Sequence, residues 1–360
     1  MSFSRRITAP LALLGATLLL TSCAANELNL PAGSDLSGTV VGGGASSQQA
    51  AQEAWVAGFQ SLNPNATVEY DPAGSGAGRD MFIAGGASFA GSDRAFSADE
   101  LAEKEFKACT PGSSIIELPT YIAPIVIVFQ LDGVDELKLD PNTIARIFSG
   151  DLDRWNADAI AEQNPGVDLP DMAITPVHRS DESGTTENFT DYLAAAAPDA
   201  WGYEPHGTWP FEGGEAAQGT SGLVDTVRNG AGTVAYVDAS RAGDLGVVSV
   251  KVGDEYVQYS AEAASAIVDA SPIVEGREPG DLAIEIDRTT TEAGVYPIVL
   301  ISYLIGCAEY VDPAQGGLVS EYFAYVISDD AQSLAAKYSG SAPISPSLQQ
   351  KAEEAVALIK

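Results

Sequence analysis

The sequence predicts an α/β protein of two lobes. Short apolar runs of strand character alternate with segments of helical spacing. The chain has 360 residues, too many for one small core and a fit for two. Glycine- and serine-rich turns recur where an expected strand gives way to an expected helix. Hydrophobic residues make up 45% of the chain, enough to bury a core, and 36 Gly with 20 Pro fit many tight strand-to-helix connections.

The N-terminus is read as a targeting segment. Arg5 and Arg6 precede an apolar stretch from Ile7 to Leu20, short of the roughly 20 residues a membrane-spanning helix needs. It matches the apolar region of a secretory signal. Leu20-Thr21-Ser22-Cys23 follows and resembles the bacterial lipobox, whose cysteine carries lipid and becomes the first residue. An ordinary signal with a chance cysteine is the alternative. Residues 1–22 are therefore expected to be a lipoprotein signal peptide, Cys23 a lipid anchor on the outer face of the cell membrane, and residues 23–37 a flexible tether. No later segment has the length of a membrane span; Pro297 to Ile305 is apolar but short and reads as a buried strand.

Two cysteines remain, Cys109 and Cys307. In an exported chain an even pair predicts one disulfide, with two buried thiols as the alternative. The formal net charge is −32, which keeps the chain soluble and argues against nucleic acid, whose phosphates need clustered Lys and Arg. It does not imply a cationic ligand, because surface charges beyond about 10 Å are largely screened.

Along the chain, Thr39 to Val41 reads as a strand, followed by Gly42-Gly43-Gly44, Ser46 and Ser47, and a helix from Gln48 to Leu62. Thr67 to Tyr70 is a strand; Gly74 to Gly78 is a turn leading to a helix near Arg79, whose side chain is expected to face away from the site. Phe89 to Asp93 is a short strand with a carboxylate at its tip. Ile122 to Phe129 is a strand covered on both faces. Pro141 to Phe148 is helical. Ala173 to His178 is a strand that delivers Arg179 to Thr186, and a helix with Phe189, Tyr192, Leu193 and Ala196 on one face follows. Gly232 to Val237 is a strand, Glu292 to Ile305 a second apolar run, and helices near Gln315 to Ile327 and Ser345 to Ile359 close the chain.

Three junctions share one pattern: Gly44-Ala45-Ser46-Ser47, Gly74-Ser75-Gly76 and Ser183-Gly184-Thr185. A helix start presents free N–H groups and the positive end of the helix dipole, glycine lets a ligand approach the backbone, and Ser or Thr adds hydroxyl donors. Each serine alone also fits an ordinary N-cap. Together, with Arg179 beside the third junction, they predict an oxyanion site, since Arg grips an oxyanion with parallel hydrogen bonds. Asp93 fits such a site only if the anion carries a proton to donate. Phosphate near neutral pH does and sulfate does not. The alternative makes Asp93 a cap for a helix beginning near Ser97.

Gly74 to Gly78, Gly91-Ser92-Asp93 and Arg179 to Thr186 resemble, in order, the phosphate-binding component of bacterial ABC phosphate importers. Phe148 to Asn156 before Asn164-Pro165-Gly166, and Gly232 to Val237, are similar to further stretches of that family. The resemblance implies a two-lobe, periplasmic-binding-protein-like α/β fold with a central cleft, lobe one at 38–121 plus 297–360 and lobe two at 122–296. The two crossings, near Tyr121 and Tyr296-Pro297, would form the hinge. It implies a monomer that captures inorganic phosphate and meets the membrane permease subunits of an importer, with no cofactor, metal or nucleic acid. By position, Ala45, Ser46, Ser47, Ser75, Ser183, Gly184 and Thr185 would donate to phosphate, Asp93 would accept its proton, and Arg179 would bind it, held by Asp181. One departure stands out: the family often has an aromatic after the first Gly-rich turn, and here Ser46-Ser47-Gln48 stands instead.

Binding of another oxyanion, sulfate or molybdate, is the nearest alternative. A phosphate-ester hydrolase using Ser183 or Ser75 is less supported, because serine needs an adjacent base. His178 precedes Arg179 on a strand and should point to the other face, and His206 lies in a Gly/Pro/Trp-rich loop.

Overall fold

The computed structural model describes residues 36–360. The expected signal peptide and the anchor at Cys23 lie outside the described residues, as does nearly all of the tether. The chain opens with β1 (Ser37–Gly44), α1 (Gln49–Leu62), β2 (Asn65–Asp71), α2 (Ser75–Ile83), β3 (Phe89–Ser92) and α3 (Ala98–Glu103), then enters β4 (Ile115–Phe129). The middle carries β5 (Glu136–Leu139), α4 (Pro141–Ser149), α5 (Asp158–Ala161), β6 (Thr175–Arg179), α6 (Gly184–Ala196) and α7 (Pro198–Trp201). It continues through β7 (Glu215–Ala217), α8 (Gly219–Asn229), β8 (Thr233–Asp238), β9 (Gly246–Val252), β10 (Glu255–Val257) and α9 (Ala261–Ala270). The chain closes with β11 (Val299–Cys307), α10 (Pro313–Val326), α11 (Asp329–Ser339) and α12 (Pro346–Val356).

The strands order as β2-β1-β3-β11-β4-β8-β6-β7, with β9 joining β4 to β5 and β10. Parallel pairs β1–β2 and β1–β3 form one half, and parallel β6–β8 and β6–β7 the other. β4 joins the halves. Its positions 115–124 pair antiparallel with β11, and from Ile125 onward it pairs with β8. Every residue of β4 and β11 is buried, as central strands covered on both faces require. Each parallel step places a helix start at the carboxyl edge of a strand, so β1, β3 and β6 aim their following loops at one region.

The structure corrects several expected boundaries. β4 begins at Ile115, ahead of the apolar run at Ile122, because its first residues pair with the end of β11, Ile115 opposite Cys307; Glu117 within it is fully buried and ion-paired to Arg277 at 3.4 Å. That carboxylate and Pro119 disguise the strand in the sequence. α2 begins at Ser75 rather than near Arg79, since Gly74 turns the chain with φ 108°. The strand expected over Pro297 to Ile305 runs from Val299 to Cys307. α8 and α11 were not foreseen; α8 begins Gly-Thr-Ser-Gly, a composition that reads as loop.

Cys109 and Cys307 form a disulfide across a sequence separation of 198 residues. It ties the segment before β4 to the end of β11. Closing so long a loop restricts the unfolded chain, and the chain-entropy account allows a contribution of up to about 5 kcal/mol. Replacing both cysteines with serine should therefore lower unfolding free energy by several kcal/mol in denaturant titrations. A double variant as stable as the wild type would contradict this.

Candidate functional site

The helix starts after β1, β2 and β6 converge on Asp93, which follows β3 and is 3% exposed. Its Oδ1 accepts hydrogen bonds from Ser47 Oγ at 2.6 Å and Ser302 Oγ at 2.5 Å. Thr185 Oγ1, on α6, donates to Oδ2 at 3.2 Å. The Asp93 N–H donates to Ser75 Oγ at 3.1 Å, and Asn188 Nδ2 donates to the Asp93 carbonyl at 2.7 Å. Asp93 does not cap α3. Ser97 does, with Glu100 completing a reciprocal pair of bonds.

Burial pushes the Asp93 carboxyl above its usual range, and the bonds from Ser302 and Ser47, the charge of Arg179 and the bond from Thr185 pull it back. Arg179, 3% exposed, ends β6. Its Nε donates to Asp181 Oδ1 at 2.8 Å and its Nη2 donates to Oδ2, a two-point grip that fixes the guanidinium plane. Asp181 Oδ1 also accepts the N–H of Gly219, the first residue of α8, at 3.0 Å. Burial alone would raise the Asp181 carboxyl, but the bond and charge of Arg179 hold it below its ordinary value.

The N-termini of α1 and α2 have no side-chain cap, so no cap side chain occupies their first-turn N–H groups. Ser183 caps α6 by accepting Thr186 N–H at 3.3 Å, and its own N–H donates to the Gly207 carbonyl at 2.9 Å. Gly184 needs to be glycine. A Cβ there would lie 2.4 Å from Asp93 Cβ and 3.0 Å from its Cα. Only without a side chain does α6 approach the tip of β3 so closely.

Two expected details change. The Ala45 N–H donates to the Gly91 carbonyl at 2.9 Å, so its backbone donor is already taken and the first loop's donors are those of Ser46 and Ser47. Arg79 does not face away: it is 3% exposed, and its guanidinium donates to Ser92 Oγ at 2.8 Å and Glu182 Oε1 at 2.5 Å.

Sequence reasoning missed several contributors. Ser302 and Asn188 bond Asp93, Gln48 donates to Ser302, and Thr220 of α8 shares a hydroxyl–hydroxyl hydrogen bond of 3.0 Å with Ser46. Ser302 had a signal: it is the one serine inside the apolar run Val299 to Ile305. The others depend on contacts distant in sequence.

The arrangement gathers hydroxyls, helix-start N–H groups and one arginine around one buried acceptor. That is chemistry for holding a protonated oxyanion. The His178 ring stacks on Trp209, with its nitrogens 3.0 Å and 3.1 Å from the carbonyls of Arg179 and Gly213. His206 Nδ1 accepts the Thr208 N–H at 2.9 Å. Both imidazoles are thus engaged with backbone. Among the described residues, no group of three His, Cys, Asp or Glu is placed to hold a metal, and no helix is long and apolar enough to cross a membrane.

A family described as "PBP superfamily domain" matches residues 30–330. The Mycobacterium tuberculosis protein named phosphate-binding protein PstS 2 is 31% identical over 371 aligned positions, covering 99% of each chain. PstS 3 of the same organism is 32% identical over 88% of this chain and 89% of its own. Among solved structures, a high-affinity periplasmic phosphate-binding protein (PfluDING) bound with phosphate aligns with TM-score 0.70 at 23% identity, over 87% of this chain and 92% of its own. A phosphate-binding protein from Stenotrophomonas maltophilia aligns with TM-score 0.70 at 20% identity, over 88% of this chain and 93% of its own. The fold they share with this chain is the two-lobe one.

Gly184→Ala should leave the fold intact and weaken binding of the expected phosphate ligand by on the order of tenfold or more, read by calorimetry. Wild-type affinity in this variant would show that α6 need not approach Asp93 so closely.

Proposed function

The chain belongs to the family of phosphate-binding proteins within the PBP superfamily, and from that membership we propose that it captures inorganic phosphate between its lobes outside the cytoplasm and hands it to the permease subunits of an ABC-type importer. The observation that carries the ligand assignment is Asp93: one buried carboxylate among donors, an arrangement suited to an anion that brings its own proton. Ser46, Ser47, Ser75, Gly184 and Thr185 supply backbone donors, Ser75 and Ser183 supply hydroxyls, and Arg179 supplies the positive charge, oriented by Asp181. Phosphate leaves chemically unchanged.

Lobe one in this reading comprises residues 38–121 and 297–360, and lobe two residues 122–296. Support comes from β4, which changes partners from β11 to β8 at Pro124 and Ile125. Contacts reach from one lobe to the other around the ligand site. Arg79 bonds Glu182, Arg94 lies 2.9 Å from Glu187, and Ser46 bonds Thr220. These would form as ligand draws the lobes together. The protein works as a monomer held at the membrane by lipid on Cys23, a reading supported by the lipobox-like Leu20 to Cys23.

Calorimetric titration of phosphate-stripped protein with phosphate and with sulfate tests the proposal. One site filled by phosphate and little heat from sulfate is the expected result. Arg179→Ala removes a full charge and bonds that contribute about 1.5–3 kcal/mol each, so phosphate affinity should fall at least about tenfold. Unchanged affinity would place the site elsewhere.

A further inference from the structure

Behind Asp93 lies a row of polar side chains whose hydrogen bonds run in one direction. The direction follows from one backbone carbonyl. Gln48 places the same amide atom 3.1 Å from the Tyr303 carbonyl and 2.6 Å from Ser302 Oγ. A carbonyl only accepts, so this end of the amide is the NH2 group. Gln48 Oε1 therefore faces Gln52, whose Nε2 donates to it at 2.8 Å. Gln52 Oε1 in turn accepts the Tyr322 hydroxyl at 2.6 Å. At the other end Ser302 Oγ already accepts from Gln48, which leaves its own proton for Asp93 Oδ1 at 2.5 Å.

All five side chains are buried, so water does not compete for these links: Gln48, Ser302 and Tyr322 are 0% exposed, Gln52 1% and Asp93 3%. Three elements hold the row in place: α1 with the residue before it, α10, and β11. The register between β4 and β11 shifts between Ser302 and Tyr303, which oppose Tyr121 and Pro119 and leave Thr120 as an extra residue. Such a bulge re-aims a side chain, here beside the serine that meets Asp93.

We infer that this directed chain, Tyr322 to Gln52 to Gln48 to Ser302, determines which oxygen of Asp93 faces the anion, and that Ser302 and Gln48 are thereby positioning residues for phosphate selectivity; the inference rests on the phosphate reading of the site. Ser302 and Ser47 both donate to Oδ1. A proton on Oδ1 would collide with theirs, so that oxygen stays an acceptor. Oδ2 is left toward Thr185 and the opposite lobe. The chain thus holds the carboxylate as an acceptor, with Oδ2, which also accepts from Thr185, turned toward the anion. Without it, a buried carboxylate takes up a proton more readily and can donate to a fully ionised anion such as sulfate.

Other groups act on Asp93 from neighbouring elements. Arg179 on β6 favours its charged form. Tyr70 on β2 and Asp238 at the end of β8 feel its charge. Arg94 and Glu187 share with it a cavity of about 400 Å³. Burial raises the Asp93 carboxyl, and the bond from Ser302 is foremost among the influences that lower it. These neighbours remain in a Ser302 variant, so a change there isolates the chain.

Competition titrations with inorganic phosphate and sulfate test this in wild type, Ser302→Ala, Gln48→Met and Ser302→Thr, with thermal melts to verify folding. Ser302→Ala should still bind phosphate but lose on the order of tenfold in its preference over sulfate, more in mildly acidic than in mildly alkaline buffer. Gln48→Met should move the same way, and Ser302→Thr, which keeps the hydroxyl, should retain the wild-type ratio. An unchanged ratio in Ser302→Ala, or an equal loss in Ser302→Thr, would overturn the role of the chain. Failure of the wild type to bind phosphate would instead overturn the phosphate reading on which it rests.

Discussion

A carboxylate taken out of water costs several kcal/mol unless other groups replace its hydration, and Asp93 is such a carboxylate. Its surroundings can be understood as that replacement. Ser47, Ser302 and Thr185 donate to its oxygens, Ser75 takes its N–H and Asn188 its carbonyl. These partners come from elements far apart in the chain. The β1–α1 loop, the start of α2, strand β11 and helix α6 must therefore all be in register for the carboxylate to be tolerated. A site made only of donors would make no such demand, and in the proposed reading it would not tell a protonated anion from a bare one.

The same demand explains where small residues and paired charges fall. Gly184 admits the tip of β3, and a Cβ at Gly74 would come within 2.8 Å of the Asp181 carboxylate. Arg79 is buried, and burial lowers its tendency to hold a proton; Glu182 and Ser92 compensate that guanidinium. Asp181 serves two neighbours at once, orienting Arg179 and satisfying the first N–H of α8. Helix α8 in turn presents Thr220 to Ser46. The orientation of Arg179 is thereby linked to the packing of α8.

Much of this is legible in the sequence, where chemistry is concentrated in short motifs. Arg179 to Thr186 states its local geometry within eight residues, and a strand ending in Gly91-Ser92-Asp93 places a carboxylate at a tip. The Cys109–Cys307 bridge follows from parity and compartment. Long-range partners are not legible. Ser302 lies 209 positions from Asp93 and 254 from Gln48. Nothing local to Gln48 distinguishes it from an ordinary glutamine at a helix start. Arg79 looks exposed until the position of Glu182 is known, and α8 is hidden by a Gly- and Ser-rich start. β4 is obscured by the fully buried Glu117, whose carboxyl is pushed well above its usual range by burial and by the nearby charge of Asp281.

Asp93→Asn tests the central claim most directly, because it keeps the shape of the side chain and removes the charge. The mutant should still bind phosphate, since an amide can meet a phosphate oxygen, but its preference for phosphate over sulfate in competition titrations should collapse. A preference equal to that of the wild type would contradict the account, and would mean that the buried carboxylate serves the fold and not the choice of anion.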